Sequence, residues 1–405
     1  MVLLFTLLLM RGAGAFWPRD LVEWKMADGA VYLVEEIETQ ADGAIRARLA
    51  NRELYDLDFK IARPEDILSR SIPADALRLE RSENGPFHGY LVSEGEQSWR
   101  LRAPDGAEIE LPAAEVLRKS YPNQMGLLQR LGAWFAGVAR FVTDEPRNAN
   151  QEGGVWPALV GTSLLVILMS ILVVPFGVMA ALYLNEYARD TWFVRLVRVA
   201  VNNLAGVPSI VYGVFGLGFL VYGVGGALDH AFFSDSLPSP TFGAGGVLWA
   251  SVTMALLTVP VVVVATEEGL RAVPRERREA ALALGATRWE MLRHVILPGA
   301  RPGILTGTIL AVSRAAGEVA PLMLTGVVGF ARELPVSGEF PYLHLNERFM
   351  HLGFHIYSVG FQAPNVEAAE PLVYATSALL LALVLLLNLT AIRLRARVRR
   401  SLAGK

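Results

Sequence analysis

Five apolar runs, at about 157–184, 204–228, 247–270, 303–329 and 371–392, constrain this chain more than anything else in it. A helix needs about 20 mostly apolar residues to cross the hydrocarbon core of a bilayer, and each run supplies them. Buried helices of a soluble protein are neither so long nor so numerous at this apolarity, so the chain reads as an all-α polytopic membrane protein. Charged residues make up only 19% of it, against about a quarter in soluble domains. The net charge of −2 excludes the basic bias of a nucleic-acid binder. With no cysteine, disulfides, thiolate nucleophiles and cysteine zinc sites are excluded together.

Lys and Arg in the short connections set the orientation. The tail after 392 carries Arg393, Arg395, Arg397, Arg399, Arg400 and Lys405, and the 271–301 connection carries Arg271, Arg275, Arg277, Arg278, Arg288, Arg293 and Arg301. Arg189, Arg195 and Arg198 lie in 185–203, whereas 229–246 has no Lys or Arg and 330–370 has only Arg332 and Arg348. The alternation puts the tail, 271–301 and 185–203 in the cytoplasm, and the segment before 155 outside.

That outer segment has its own texture. Residues 1–16 are apolar but too short to span; they read as the outer end of a first span, with a signal peptide as the alternative. In 17–120 apolar and polar residues alternate, and turn signals recur at Asp42-Gly43, Asn84-Gly85 and Asp105-Gly106. This pattern predicts a small β-rich extracytoplasmic insert of five to seven strands. Within 121–154, Met125, Leu128, Leu131, Trp134, Phe135, Val138 and Phe141 share one face of a helix that lies in the interface or packs on the spans, followed by a polar linker. Residues 155–400 form the transmembrane domain.

The connection at 271–301 contains EAALALGATRWEMLRHVILP, with Glu279-Ala280-Ala281, Gly285, Val295 and Leu297-Pro298 at fixed offsets. It predicts a helix, a Gly-centred turn and a second amphipathic helix closed by Pro298 and Gly299. A stiff cytoplasmic element of this kind can carry motion from a soluble subunit to the spans. The stretch resembles the EAA loop of binding-protein-dependent ABC importer permeases, which docks into a groove of the ATPase subunit. Val295 stands where that pattern more often has Ile, a conservative change. The chain has no G-x-x-x-x-G-K-[ST] stretch, so its energy must come from another polypeptide.

Residues 202–219, 258–287, 303–326 and 349–376 are together similar to the PstA-type permease family of phosphate importers. The resemblance implies the type I ABC importer permease fold, with five core spans plus a clipped or short N-terminal span. It further implies a PstC-type second permease, a PstB-type ATPase dimer that carries ATP and Mg, and a PstS-type periplasmic binding protein. The chain itself would hold no cofactor and no metal and would be no enzyme.

Arg314 and Glu318 fall inside the fourth run, four residues apart and so on one helical face. Each mid-membrane charge costs about 2.5–3.5 kcal/mol on insertion scales, so the pair reads as lining the translocation path. A guanidinium fork suits phosphate oxygens, although an internal salt bridge is the alternative. The pair also resembles the family's transport-critical pair. Asn203, Pro208 and Ser209 open the second run, where Pro208 distorts the helix to serve packing or the pathway. Glu267 and Glu268 end the third run beside Arg271. His344, His351 and His355 lack an acidic partner for a metal. Sulfate, molybdate or a phosphonate are alternative cargoes, and a scaffold or sensor in phosphate signalling is an alternative role.

Overall fold

The computed structural model describes residues 2–403 other than Asp56, Ala149, Arg332 and Pro364. Of the basic residues counted above, Arg332 and Lys405 lie outside the described residues, as do the side chains of Arg399 and Arg400. The chain divides into two compact units, Met1–Trp156 with Ile356–Ala378, and Pro157–His355 with Leu379–Lys405.

The first unit begins with the helix Val2–Gly14. At 1.5 Å per residue it is about 20 Å long, short of the ~30 Å hydrocarbon core. Its last turn lies against the membrane-spanning C-terminal helix Val366–Ala403: a Cβ on Gly12 would sit 3.0 Å from Ala375 Cα, and Arg11 donates to the Tyr374 hydroxyl at 3.1 Å.

Between Leu21 and Ser120 the structure has ten strands rather than five to seven, in two five-stranded antiparallel sheets. Two, Ile45–Arg48 and Phe59–Ala62, are only four residues long, too short for alternation to separate them from loop. With β1 at Leu21–Met26, β2 at Val31–Thr39, β3 at Ile45–Arg48, β4 at Phe59–Ala62 and β5 at Ile67–Ser71, the first sheet is ordered β4-β3-β2-β1-β5. With β6 at Leu77–Arg81, β7 at Phe87–Glu94, β8 at Ser98–Arg102, β9 at Glu108–Pro112 and β10 at Val116–Ser120, the second is ordered β10-β6-β7-β8-β9. The two topologies are the same: a four-strand meander whose first strand also pairs with the fifth, after one 3-10 turn (Pro64–Asp66 and Ala113–Glu115). The register repeats as well. Glu23, Trp24, Lys25 and Met26 face Ser71, Arg70, Ser69 and Ile67, while Arg78, Leu79, Glu80 and Arg81 face Ser120, Lys119, Arg118 and Val116. Leu68 and Leu117 are the bulged residues at corresponding positions. The insert is therefore a tandem duplication of one β unit, each copy with its own core: Trp24, Val34 and Ala47 in the first, Leu79, Phe87 and Leu101 in the second.

Polar bolts join the copies. Asn51 Nδ2 donates to His88 O at 2.7 Å while His88 N donates to Asn51 Oδ1 at 2.8 Å, and Arg81 forks onto Glu53 at 2.7 and 2.9 Å. His88 is fully buried, and loss of solvation lowers its pKa to about 4 despite the nearby Glu35 carboxylate. Burial works against charge on Glu35 too, but Arg78 at 2.6 Å prevails and holds it below the usual carboxylate range. A histidine depressed in the fold takes up its proton first in the unfolded chain. Stability is thus complete above the unfolded value of about 6.5 and falls as pH drops toward 4. Hydrogen exchange of the β6–β7 amides, corrected for intrinsic rate, should lose protection by up to about tenfold per pH unit across that window. The His88→Gln variant should flatten the slope.

The helix Leu127–Thr143 departs from its predicted face. Trp134 donates to Ala13 O at 2.7 Å and Phe141 is buried, while Leu128, Leu131 and Phe135 are exposed on another side. Aromatic bulk alone did not reveal which flank meets the first helix.

Four membrane helices lie almost wholly in the second unit, and the fifth is divided between the two units at Ala378. Helices long and apolar enough to cross a bilayer run over Trp156–Tyr187, Ser209–Phe232, Val247–Arg271, Arg288–Gly317 and Ala369–Arg397. Val247–Arg271 is the most buried of them and packs along Arg288–Gly317. Their backbones nearly touch where Gly269 meets Gly303: a Cβ on Gly303 would lie 2.5 Å from Gly269 Cα. Small residues at such a crossing let dispersion contacts form over the whole seam. Gly303→Val should therefore cost about 1–3 kcal/mol through overpacking, read as a lower melting temperature in detergent.

The fourth span corrects the sequence reading in two places. It starts at Arg288, so the second EAA helix runs straight into it instead of closing at Pro298. A π turn over Leu292–Ile296, with Leu297 N donating to Leu292 O, widens the helix just before Pro298 and absorbs its missing donor and its ring. The span ends at Gly317 instead of continuing to 329, because Glu318 is extended (φ −85°, ψ 133°) and helix resumes only at Leu322–Thr325.

Candidate translocation site and coupling loop

Arg314 lies in the last turn of the fourth span, where unpaired carbonyls favour a cation. Glu318 is the first residue past the helix, so the two do not share a continuous helical face as predicted. The break nevertheless brings them together, with Arg314 Nε 3.6 Å from Glu318 Oε1. Their side chains remain 33% and 25% exposed, so the pair is loose and still open to a third group. An irregular backbone at membrane depth is tolerated where protein or a water-lined cavity satisfies it.

Pro208 and Ser209 contribute differently than predicted. Pro208 is the N-cap of the helix beginning at Ser209, a start and not a kink, because its ring cannot donate and its φ suits a first turn. One turn on, Tyr212 lies within electrostatic reach of Arg314 and donates its hydroxyl to Leu204 O at 2.8 Å. Gly213 abuts Pro321 in the break, where a Cβ would come within 2.7 Å of Pro321 Cα. Ser209 thus opens the helix that braces the Arg314–Glu318 break. Asn203 ends the preceding helix, exposed, its carbonyl accepting from Gly206 N, and the structure gives it no contact with Arg314. Tyr212, Gly213 and Pro321 were missed from the sequence; the Pro-Ser-x-x-Tyr-Gly run was the available signal.

The candidate coupling loop is two short helices, Arg275–Ala283 and the start of Arg288–Gly317, around Gly285. Gly285 has φ +84°, the left-handed region that only glycine enters freely, and open space surrounds it. Thr287 caps the second helix reciprocally with Glu290. Glu279 and Ala280 are exposed, while Ala281 packs on a buried cluster that includes Val273, Met291, Leu292 and Ile296. Leu297 and Pro298 are half-buried inside the continuing helix. Arg278 fastens the loop, donating to Glu186 at 2.6 Å and to Leu270 O at 2.7 Å. Glu267 pairs with Arg271, one turn on, at 3.3 Å. Among its exposed residues are three large apolar ones: Leu284 is 89% exposed, with Leu282 and Trp289 also exposed.

His351 is buried just before the short helix Leu352–Tyr357 and His355 is buried within it, while His344 meets the Ser337 hydroxyl at 2.9 Å. Among the described residues no group of three His, Cys, Asp or Glu could hold a metal.

Residues 173–403 match the family described as "Binding-protein-dependent transport system inner membrane component". The phosphate transport system permease protein PstA of Yersinia pestis is 34% identical over 255 residues, which cover 63% of this chain and 76% of that protein. The PstA of Haemophilus influenzae is 33% identical over 241 residues, 59% of this chain and 75% of its own. Among solved structures, the inward-facing MetNI methionine ABC transporter aligns with 60% of this chain and 94% of its own, at 21% identity and a TM-score of 0.40. The match of residues 173–403, more than half of the chain, and the five apolar helices identify it as a multi-pass protein that belongs to the inner membrane components of binding-protein-dependent transport systems.

Proposed function

We propose that this chain is a permease subunit of an ATP-driven importer of inorganic phosphate, with Arg314 and Glu318 on the path of the anion. The observation that carries the path is the loose ion pair at the helix break, in a chain 34% identical to a PstA permease. Phosphate displaces the Glu318 carboxylate from the Arg314 fork, and the carboxylate returns as the anion leaves. Binding to the guanidinium alone would trap the ion, so a competing carboxylate makes release possible.

In this reading the exposed Leu284 tip seats in a separate ATPase dimer of the PstB type, which holds ATP and Mg. Because the second EAA helix is continuous with the fourth span, movement of the loop that carries Leu284 passes across the Gly285 turn into the helix that ends beside Arg314. A PstC-type permease completes the pathway and a PstS-type protein delivers phosphate. The Lys and Arg distribution supports a cytoplasmic C-terminus and a periplasmic β insert.

The cargo is tested by radiolabelled phosphate uptake in cells lacking their own importer and supplied with the full partner set. Unlabelled phosphate should compete fully, while sulfate, molybdate and phosphonates should not. Equal competition by one of these would reassign the cargo, and uptake that survives loss of this chain would leave it a scaffold.

A further inference from the structure

The first unit contains a cavity of about 640 Å³ that the transport reading does not use. Its size is that of organic-ligand pockets, commonly about 300–1,000 Å³, and inorganic phosphate would leave most of it empty. Two parts of its wall belong to the bilayer boundary. Met10 comes from the first helix, Phe16 and Trp17 from the turn just after it, and Leu372 and Tyr374 from the start of the last membrane helix. Trp and Tyr concentrate at the headgroup level, and the exposed Leu128, Leu131 and Phe135 on the helix that supplies Gly137, Arg140 and Phe141 to the wall suit the same depth.

The rest of the wall carries both charges. Arg46 and Arg78 are engaged by Glu38, Glu367 and Glu35. Arg48, Arg140 and Arg147, and likewise Asp144 and Glu152, have no ion-pair partner within 4 Å among the described residues. Gln151, 6% exposed, presents an Nε2 with no hydrogen-bond partner, and Arg147 Nε is also buried without one. Buried donors are rarely left unmatched unless something absent from the chain itself satisfies them. Unmatched cations and unmatched carboxylates in one boundary cavity call for a ligand that bears both charges.

We propose that this cavity holds the headgroup of a zwitterionic glycerophospholipid, its phosphate on Arg48, Arg140 and Arg147 and its ammonium on Asp144 and Glu152. The acyl chains leave past Met10 and Leu372 into the bilayer. Basic pockets beside membrane helices bind lipid phosphates in this way, and the two carboxylates select against purely anionic lipids. The site does not depend on which anion the permease carries.

The test is native mass spectrometry of the purified full chain, delipidated and then titrated with phosphatidylethanolamine, phosphatidylglycerol or inorganic phosphate. Phosphatidylethanolamine should bind one to one, and at least about tenfold more weakly to the Arg140→Gln/Arg147→Gln double variant. Asp144→Asn/Glu152→Gln should weaken phosphatidylethanolamine while sparing phosphatidylglycerol, and Arg100→Gln on the insert surface should change neither. Equal binding by wild type and the double variant would overturn the site. Tighter phosphatidylglycerol binding, or displacement of lipid by millimolar inorganic phosphate, would overturn the zwitterionic assignment. Should the double variant lose strand protection in hydrogen exchange, Glu152→Gln alone carries the same discrimination.

Discussion

Replacing Arg314 by Ala is expected to lower ATP-driven phosphate uptake more than about 100-fold while the complex still assembles. The change removes the only guanidinium at the Glu318 break among the described residues and leaves a carboxylate on the path of an anion. Removing one preorganised donor to a passing anion costs about 2.7–4 kcal/mol, and each 1.4 kcal/mol is tenfold in rate. Packing gives little reason for collapse, because the side chain is 33% exposed and its ion pair is 3.6 Å long. Glu318→Gln should behave differently. With Arg314 uncontested, phosphate binds but leaves slowly, so maximal uptake falls while half-saturation falls or stays unchanged. Initial rates over a range of phosphate concentrations separate the two; equal effects on both parameters in both variants would demote the pair to packing.

The second large effect is expected at Leu284, which is 89% exposed yet apolar at the tip of the coupling loop. Hot spots of protein interfaces are worth about 2 kcal/mol or more each. Leu284→Asp adds an unpaired charge to that loss, so ATPase retained on the purified permease should fall about 100-fold and uptake with it. The loop stays folded, since Leu284 supports nothing inside it and Thr287, Glu290 and Arg278 hold the flanking helices. Gly285→Val strains the turn by about 1–2 kcal/mol without removing the apolar tip, and should give the milder defect. Co-purification of the ATPase with each variant checks the ranking.

The sequence made the spans legible because nothing but length and apolarity decides them. It made Gly285 legible because a left-handed turn between two helices leaves few other choices. Pro298 misled, since a proline reads as a stop unless the π turn before it is foreseen, and that turn has no sequence signature. The end of the fourth span at Gly317 was hidden for the opposite reason: Val319, Leu322, Met323 and Leu324 are apolar, and apolarity does not report that Glu318 and Pro321 interrupt the helix. The Arg314–Glu318 pair was found through its charge, but Tyr212 and Gly213 were not, because their roles depend on a neighbour more than a hundred residues away. The duplication in the insert was readable. Pro64-Glu65-Asp66-Ile67-Leu68 and Ala113-Ala114-Glu115-Val116-Leu117 place an acidic residue before the same branched-apolar pair, a similarity that short strands and unequal loops obscured.

The central claim is that loop and path are one mechanical element, with Arg314 at its far end. The most direct measurement is the number of phosphates accumulated per ATP hydrolysed by the assembled importer in proteoliposomes, for wild type and Arg314→Ala. If phosphate passes Arg314, the variant keeps hydrolysing ATP in the presence of the binding protein while its transport ratio collapses toward zero. A ratio equal to that of wild type would place the path elsewhere and contradict the account.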